Sequence, residues 1–196
     1  MAAKEFLAII RKKIVAMGLD DDIVDMSSTT YEGEEHAEAD ASLRPLRTRP
    51  NPYDWPTLVI ECGVSQTPRG LAGNCRWWLH NSSGAVKVVL LFFVSLKAKE
   101  IRIEQWELNK VENPQVRRST DDEEVDLAIP KGVIKITPTK VTGAPLEISF
   151  RNIFLRRPRK KRGEHDFAIT EEEIRRYYNK VWPPQGEMSS ESEDSK

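Results

Sequence analysis

The sequence predicts an α/β fold in which a central mixed β-sheet is flanked by helices, and three observations carry that prediction. Val86 to Val94 is so uniformly apolar and branched that it reads as a strand buried on both faces, which requires helices on each side of the sheet. Residues 3–17 and 68–80 place apolar side chains at three- and four-residue spacing, the period of helices able to supply that cover. Leu58, Val59 and Ile60 form a short apolar run between Pro56 and Gly63, so strand, helix and strand follow one another from 56 to 94.

The first helix turns Phe6, Leu7, Ile10, Ile14 and Met17 to one face, and Gly18 can end it. After the acidic turn Asp20 to Asp22, residues 23–32 read as a strand, and Ala39–Leu46 as a second. Arg47 to Trp55 holds Pro50 and Pro52 and is a loop, Pro56–Glu61 is a strand, and the helix from Pro68 to His80 points Leu71, Cys75, Trp78 and Leu79 inward before Asn81 to Gly84 stop it. Beyond the apolar strand, Glu100–Leu108 reads as a further strand, whereas 109–131 is charged, lacks periodicity and reads as a surface excursion. Val133–Ile136 and Leu146–Leu155 read as late strands that extend the sheet. Thr170 and Glu173 make a capping-box pattern ahead of a last helix carrying Ile174, Tyr177, Tyr178 and Val181, which stops at Pro183. Glu187 to Lys196 is rich in Ser and acid and reads as disordered, giving one domain over 1–182 and a tail over 183–196.

A chain of 196 residues suits one such domain, and 39% hydrophobic with 31% charged residues is the composition of a soluble globular protein. The formal net charge of −1 names no partner, but it hides a basic run at 156–162 against acidic clusters elsewhere. Cys62 and Cys75, the only cysteines, fall in regular elements and form no zinc spacing with His80, so they read as buried packing residues in a reducing, intracellular setting. The apolar run Val86 to Leu96 is broken by Lys87 and Ser95 and is about half a membrane span. With no secretory pattern at the N-terminus, the expectation is an intracellular protein without a membrane partner and without a small-molecule cofactor.

If Ala39–Leu46 and Pro56–Glu61 pair as an antiparallel hairpin across the Pro-rich loop, the start of one lies beside the end of the other. A register joining Ser42 to Val59 then joins Asp40 to Glu61, with both acids on one face. Adjacent carboxylates repel unless a cation neutralises them, and Mg²⁺, with Mn²⁺ as an alternative, is the natural ion because it takes oxygen ligands and keeps positions for water and phosphate oxygens. Asp54 is a competing partner for Glu61 but sits at the loop end of the hairpin.

Pro-Thr-Leu-Val-Ile-Glu61-x-Gly-x-Ser, the pair Trp77-Trp78, the run Gly84-x-Val-Lys-Val-Val-Leu-Leu, Glu104-Gln-Trp106-Glu and Phe-Leu-Arg at 154–156 together resemble the PD-(D/E)xK nuclease superfamily, nearest its Uma-type and related fungal restriction-endonuclease-like proteins. The resemblance covers roughly residues 30–182. It implies a restriction-endonuclease-like sheet with metal-binding acids at the end of a central hairpin, and a metal-dependent endonuclease acting on DNA. Many members carry a Lys two residues after the Glu, where this chain has Gly63; Gln66 or Arg76 are then the candidates to supply the missing cation or donor. Glu34, Glu35 and His36 are further candidate ligands. A catalytically silent relative that binds nucleic acid or protein is the competing reading.

Trp77, Trp78 and Trp106 read as core rather than as base-stacking platforms. For the run Arg156, Arg157, Arg159, Lys160, Lys161 and Arg162 three readings stand: contact with DNA phosphates, a nuclear localisation signal, or a solvated loop. A homodimer is left open.

Overall fold

The computed structural model describes residues 2–26, 30–32, 36–64, 68–112 and 124–183. Helix α1, Ala2–Ala16, buries Phe6, Leu7, Ile10 and Ile14 as its periodicity requires, and Gly18 closes it at φ 69°, a left-handed conformation that costs glycine little. A single 3₁₀ turn at Asp20–Asp22 leads into β1, Ile23–Asp25. Residues 23–32 are therefore not one strand: β2, Thr30–Glu32, pairs with β3, His36–Glu38, as a separate two-stranded hairpin.

Strands β4, Ala41–Pro45, and β5, Leu58–Val64, form the expected antiparallel hairpin, with β5 running three residues beyond its expected end. Helix α2, Pro68–Asn81, crosses to β6, Val88–Ser95, which lies parallel to β5. The sheet continues antiparallel through β7, Glu100–Glu112, β8, Glu124–Ile136, and β9, Val141–Thr142. The result is a seven-stranded mixed sheet in the order β1-β4-β5-β6-β7-β8-β9.

The charged stretch 109–131 is thus not an irregular excursion where it is described. It belongs to a long β7/β8 hairpin that outruns β6, whose pairing with β7 stops at Val89 and Trp106. Past that point β7 has β8 as its neighbour, and with much of the arm's surface facing water the apolar alternation that marks a half-buried strand is lost. The segment Leu146–Leu155 also differs from its reading as one strand. Strand β10, Leu146–Ile148, is followed by a short helix α3, Phe150–Phe154, capped by Ser149, whose hydroxyl accepts from Arg151 N. β10 pairs with β11, Phe167–Ile169, in a small sheet of its own, so of the two late segments only Val133–Ile136 extends the main sheet. Helix α4, Glu171–Val181, has the full capping box between Thr170 and Glu173.

Two apolar layers sandwich the sheet. On one side α1, α4, α3 and the small sheet pack on alternate strand residues Leu58, Ile60, Leu90, Phe92, Ile101 and Ile103, with Phe6 edge-on to Phe92 and Tyr177 at 5.0 and 5.3 Å. On the other side α2 lays Leu71, Cys75, Trp78 and Leu79 over Val59, Val89 and Leu91. Every side chain of β6 from Val88 to Phe92 is buried, the double-sided burial its sequence demanded.

The loop end of the β4/β5 hairpin is fixed by two arginines. Arg44, 5% exposed, donates to the carbonyls of Arg49 and Asn51, and Arg49 donates to those of Trp55, Pro56 and Ala85. Thr57 Oγ1 donates to Ile153 O at 2.8 Å and Thr48 Oγ1 to Phe154 O at 3.3 Å, so α3 sits at this end of the hairpin. Among the described residues no helix is long and apolar enough to cross a membrane.

Candidate active site

At the opposite end of the hairpin the register is Ala41 with Ile60, Ser42 with Val59 and Leu43 with Leu58. Continuing it by one pair sets Asp40 against Glu61, the juxtaposition expected from the sequence. Asp40 lies in a bend just before β4, exposed, and its Oδ2 accepts from Cys62 N at 2.7 Å. That bond satisfies a backbone donor of β5 which β4, starting at Ala41, no longer reaches.

Glu61 is 7% exposed and lies on the α2 side of the sheet, with Val59. Its Oε1 accepts from Trp78 Nε1 at 2.8 Å. Burial raises its carboxyl from the ordinary 4.5 to about 7; the Trp78 bond opposes the rise, the nearby Asp40 charge adds to it, and the Asn74 side chain lowers it again. A buried acid poised near neutrality beside a second carboxylate is an arrangement in which a proton or a cation can settle.

Reading across the sheet on the same face, Glu61 aligns with Leu91 of β6 and Glu104 of β7, and Gly63 aligns with Phe93 and Arg102. Glu104 accepts from Trp106 Nε1 at 2.9 Å and pairs with Arg102 at 3.2 Å, while the Arg102 guanidinium stacks on Phe93, 4.2 Å from the ring centroid. Cys75 of α2 lies above this row; burial, then the charge of Glu104, push its thiol up to about 12, which leaves it a protonated packing residue. Cys62, unlike Cys75, is only half-buried rather than buried as expected, and its thiol is held up, at about 11, by that burial and Asp40.

The other candidates from the sequence are distributed as follows. Arg76 is on α2, exposed and one position past the inward-facing Cys75, whose thiol pKa its charge acts to lower. Gln66, Glu34 and Glu35 lie outside the described residues, as does the side chain of His36. Asp54 accepts from Asn51 N at 2.9 Å in the loop, far along β5 from Glu61. Trp78 is fully buried and Trp77 packs against it at 5.0 Å, the core role expected of both.

The basic run divides. Arg156 stacks on Phe150 at 4.9 Å and its guanidinium grips Glu164, a carboxylate 3% exposed that also accepts from Arg159 N at 2.6 Å. The Arg156 bond holds the Glu164 carboxyl below the usual range, and the pair folds the chain back rather than facing a ligand. Arg157, Arg159, Lys160, Lys161 and Arg162 are exposed, the last three in a 3₁₀ turn. The whole run follows α3 and so lies toward the loop end of the hairpin, away from Asp40 and Glu61.

Sequence reasoning missed Trp78 as the partner of Glu61, and Glu104 and Arg102 as charges on the same face two strands across from Glu61 and Gly63. The signals were present: the α2 period that turns Trp78 inward, and the alternation of Ile101 and Ile103 with Arg102 and Glu104, which puts the charges on the α2 side. No protein-family model and no curated protein matches the chain.

Proposed function

We propose that the protein is a metal-dependent nuclease of the restriction-endonuclease-like fold, hydrolysing phosphodiester bonds in DNA. The observation that carries this reading is the meeting of Asp40 and Glu61 at one end of the central hairpin, beside a parallel strand pair. Among the described residues no group of three or more His, Cys, Asp or Glu is gathered as a metal cage. Two carboxylates still fit Mg²⁺ or Mn²⁺, since Mg²⁺ commonly takes one or two protein carboxylates and fills its octahedron with water and phosphate oxygens. Asp40 and Glu61 would hold the ion, which when bound would lower the pKa of an attacking water and offset charge on the phosphate. Asp40 is fastened through Oδ2 to the β5 backbone, and Glu61 through Oε1 to Trp78, so both acids are orientated before any ion arrives.

Exposed Arg157, Arg159, Lys160, Lys161 and Arg162 suit DNA phosphate contact, with nuclear targeting as the alternative use of the same charges. The test is cleavage of plasmid and oligonucleotide DNA with Mg²⁺ or Mn²⁺, repeated with Asp40→Ala and Glu61→Ala. Loss of cutting in both variants with the fold intact supports the reading.

A second reading, a catalytically silent module that binds nucleic acid or a protein, is favoured by one observation. Glu61 is satisfied by Trp78 in a buried setting and the position two residues on is Gly63, so the acid has a structural partner and lacks the cation of active relatives. Absence of both cleavage and calorimetric metal binding would establish it over the nuclease.

A further inference from the structure

We infer that Arg102 is the cation of the acid-pair site, reaching it from β7 rather than from β5 or α2. The inference rests on the nuclease reading and adds to it the residue that would meet the phosphate. A phosphodiester drawn to an ion that two carboxylates would hold needs further positive charge beside it, because the transition state gathers negative charge on the phosphate oxygens. On β5 the position that would project next to Glu61 on the same face is Gly63, which has no side chain. The residues in register with Gly63 on the two strands beyond are Phe93 and Arg102.

Strands lie about 4.8 Å apart, so Arg102 starts roughly 10 Å from the Gly63 backbone, and a side chain of its length spans much of that gap. It is held over the gap rather than away from it. The guanidinium lies 4.2 Å from the centroid of the Phe93 ring, and Phe93 is the residue directly beside Gly63. Glu104, which stands in the Glu61 row, fixes the same guanidinium at 3.2 Å and is itself anchored by Trp106 Nε1. The Arg102 side chain keeps 41% of its surface exposed, so its remaining donors are accessible to an incoming phosphate. The aromatic at 93 and the acid at 104 therefore act as positioning residues for one guanidinium in the Gly63 row, on the face that carries Glu61.

The experiment compares wild type, Arg102→Ala and Arg102→Lys in Mg²⁺-dependent cleavage of a labelled duplex, with thermal melts to confirm folding. Arg102→Ala should lower kcat about a hundredfold or more, with a smaller rise in KM from the lost phosphate contact. Arg102→Lys should retain more activity, and guanidinium chloride at low concentration should restore part of the Arg102→Ala rate. A readout independent of turnover is duplex binding with Ca²⁺ in place of Mg²⁺: the slope of log K against log salt should fall by about 0.9 on losing one phosphate contact. A wild type that cuts while Arg102→Ala stays within about threefold in kcat overturns the role of Arg102 and leaves the nuclease reading intact. A wild type without metal-dependent cleavage overturns both.

Discussion

Replacing Glu61 by Gln should make the protein more stable at pH 8 and leave its stability at pH 4 nearly unchanged. The sign follows from a carboxyl whose proton is held more tightly in the folded chain, with its pKa raised from 4.5 to about 7 chiefly by burial. Below 4.5 both folded and unfolded chains carry the proton and the site costs nothing. Between 4.5 and about 7 the unfolded chain releases it while the folded chain keeps it, so stability falls as pH rises. Above that window both are ionised and the folded state bears the whole cost, which for such a displacement is about 3 kcal/mol. Gln keeps a carbonyl oxygen for Trp78 Nε1 and carries no charge, so Glu61→Gln removes the cost without removing the bond. For a chain of this size the gain at pH 8 corresponds to a rise in Tm of roughly 6–12 °C. Urea denaturation at half-unit pH steps, followed by tryptophan fluorescence, measures both proteins, and their difference cancels the titration of every other group. Millimolar Mg²⁺ should recover much of the deficit in wild type at pH 8 and little in the variant, because an ion held by the acid pair adds about 2.7 kcal/mol at a hundred times its Kd. Parallel stability curves for the two proteins from pH 4 to pH 8 would refute the reasoning, since Glu61 would then titrate like an exposed acid.

Three further outcomes are expected. Trp78→Phe removes the donor to Glu61 while keeping most of the ring, and should cost about 1.5–3 kcal/mol at pH 8, where the acid is charged, and less at pH 5; urea midpoints at the two pH values check it. Arg156→Ala removes the main partner of Glu164 but leaves it the Arg159 N–H, and should cost about 1.5–3 kcal/mol, whereas joint neutralisation of Lys160, Lys161 and Arg162 should leave Tm within a few degrees and weaken duplex binding, as melts and a salt titration would measure. Thr170→Ala breaks the capping box of α4 and should lower stability by about 1 kcal/mol, read from denaturant midpoints.

The elements legible in the sequence were those whose burial follows one period. α1, α2 and α4 each bury one stripe, and β6 is buried on both faces, so spacing alone marks them. The pairing of the hairpin follows from its short loop but its register does not, because the packing that excludes a one-residue slip, which would turn either Leu43 or Leu58 and Ile60 out of the core, is not local. Elements whose surroundings differ from those of a half-buried strand or helix were not. The described residues of the β7/β8 arm past Trp106 are mostly exposed or half-buried, so no clean alternation marks them, while Phe150, Ile153 and Phe154 are buried on a helix too short to show its period within an apolar run. At the site, Asp40 and Glu61 were legible as neighbours through the hairpin. Arg102 and Glu104 join them through two further strand pairings, and that depends on the sheet order, which local spacing does not encode. The Glu164 partner of Arg156 was hidden for a related reason, since a basic run is read as solvated until a buried acid is found to close on it.

On the nuclease reading, the hairpin would also work as a ruler. Its loop end is tied to α3 through Thr57 and Thr48, and the exposed cations follow α3, while the acid pair stands at the other end. From Thr57 to Glu61 the strand rises about 13 Å, or about four steps of a nucleic-acid backbone at 3.4 Å each. A strand that touched both ends of the hairpin would have to be longer than that, so very short oligonucleotides would reach the acids or the cations but not both. Affinity and turnover would then part company as substrates are shortened, with the length at which they separate set by the rigid β4/β5 pair.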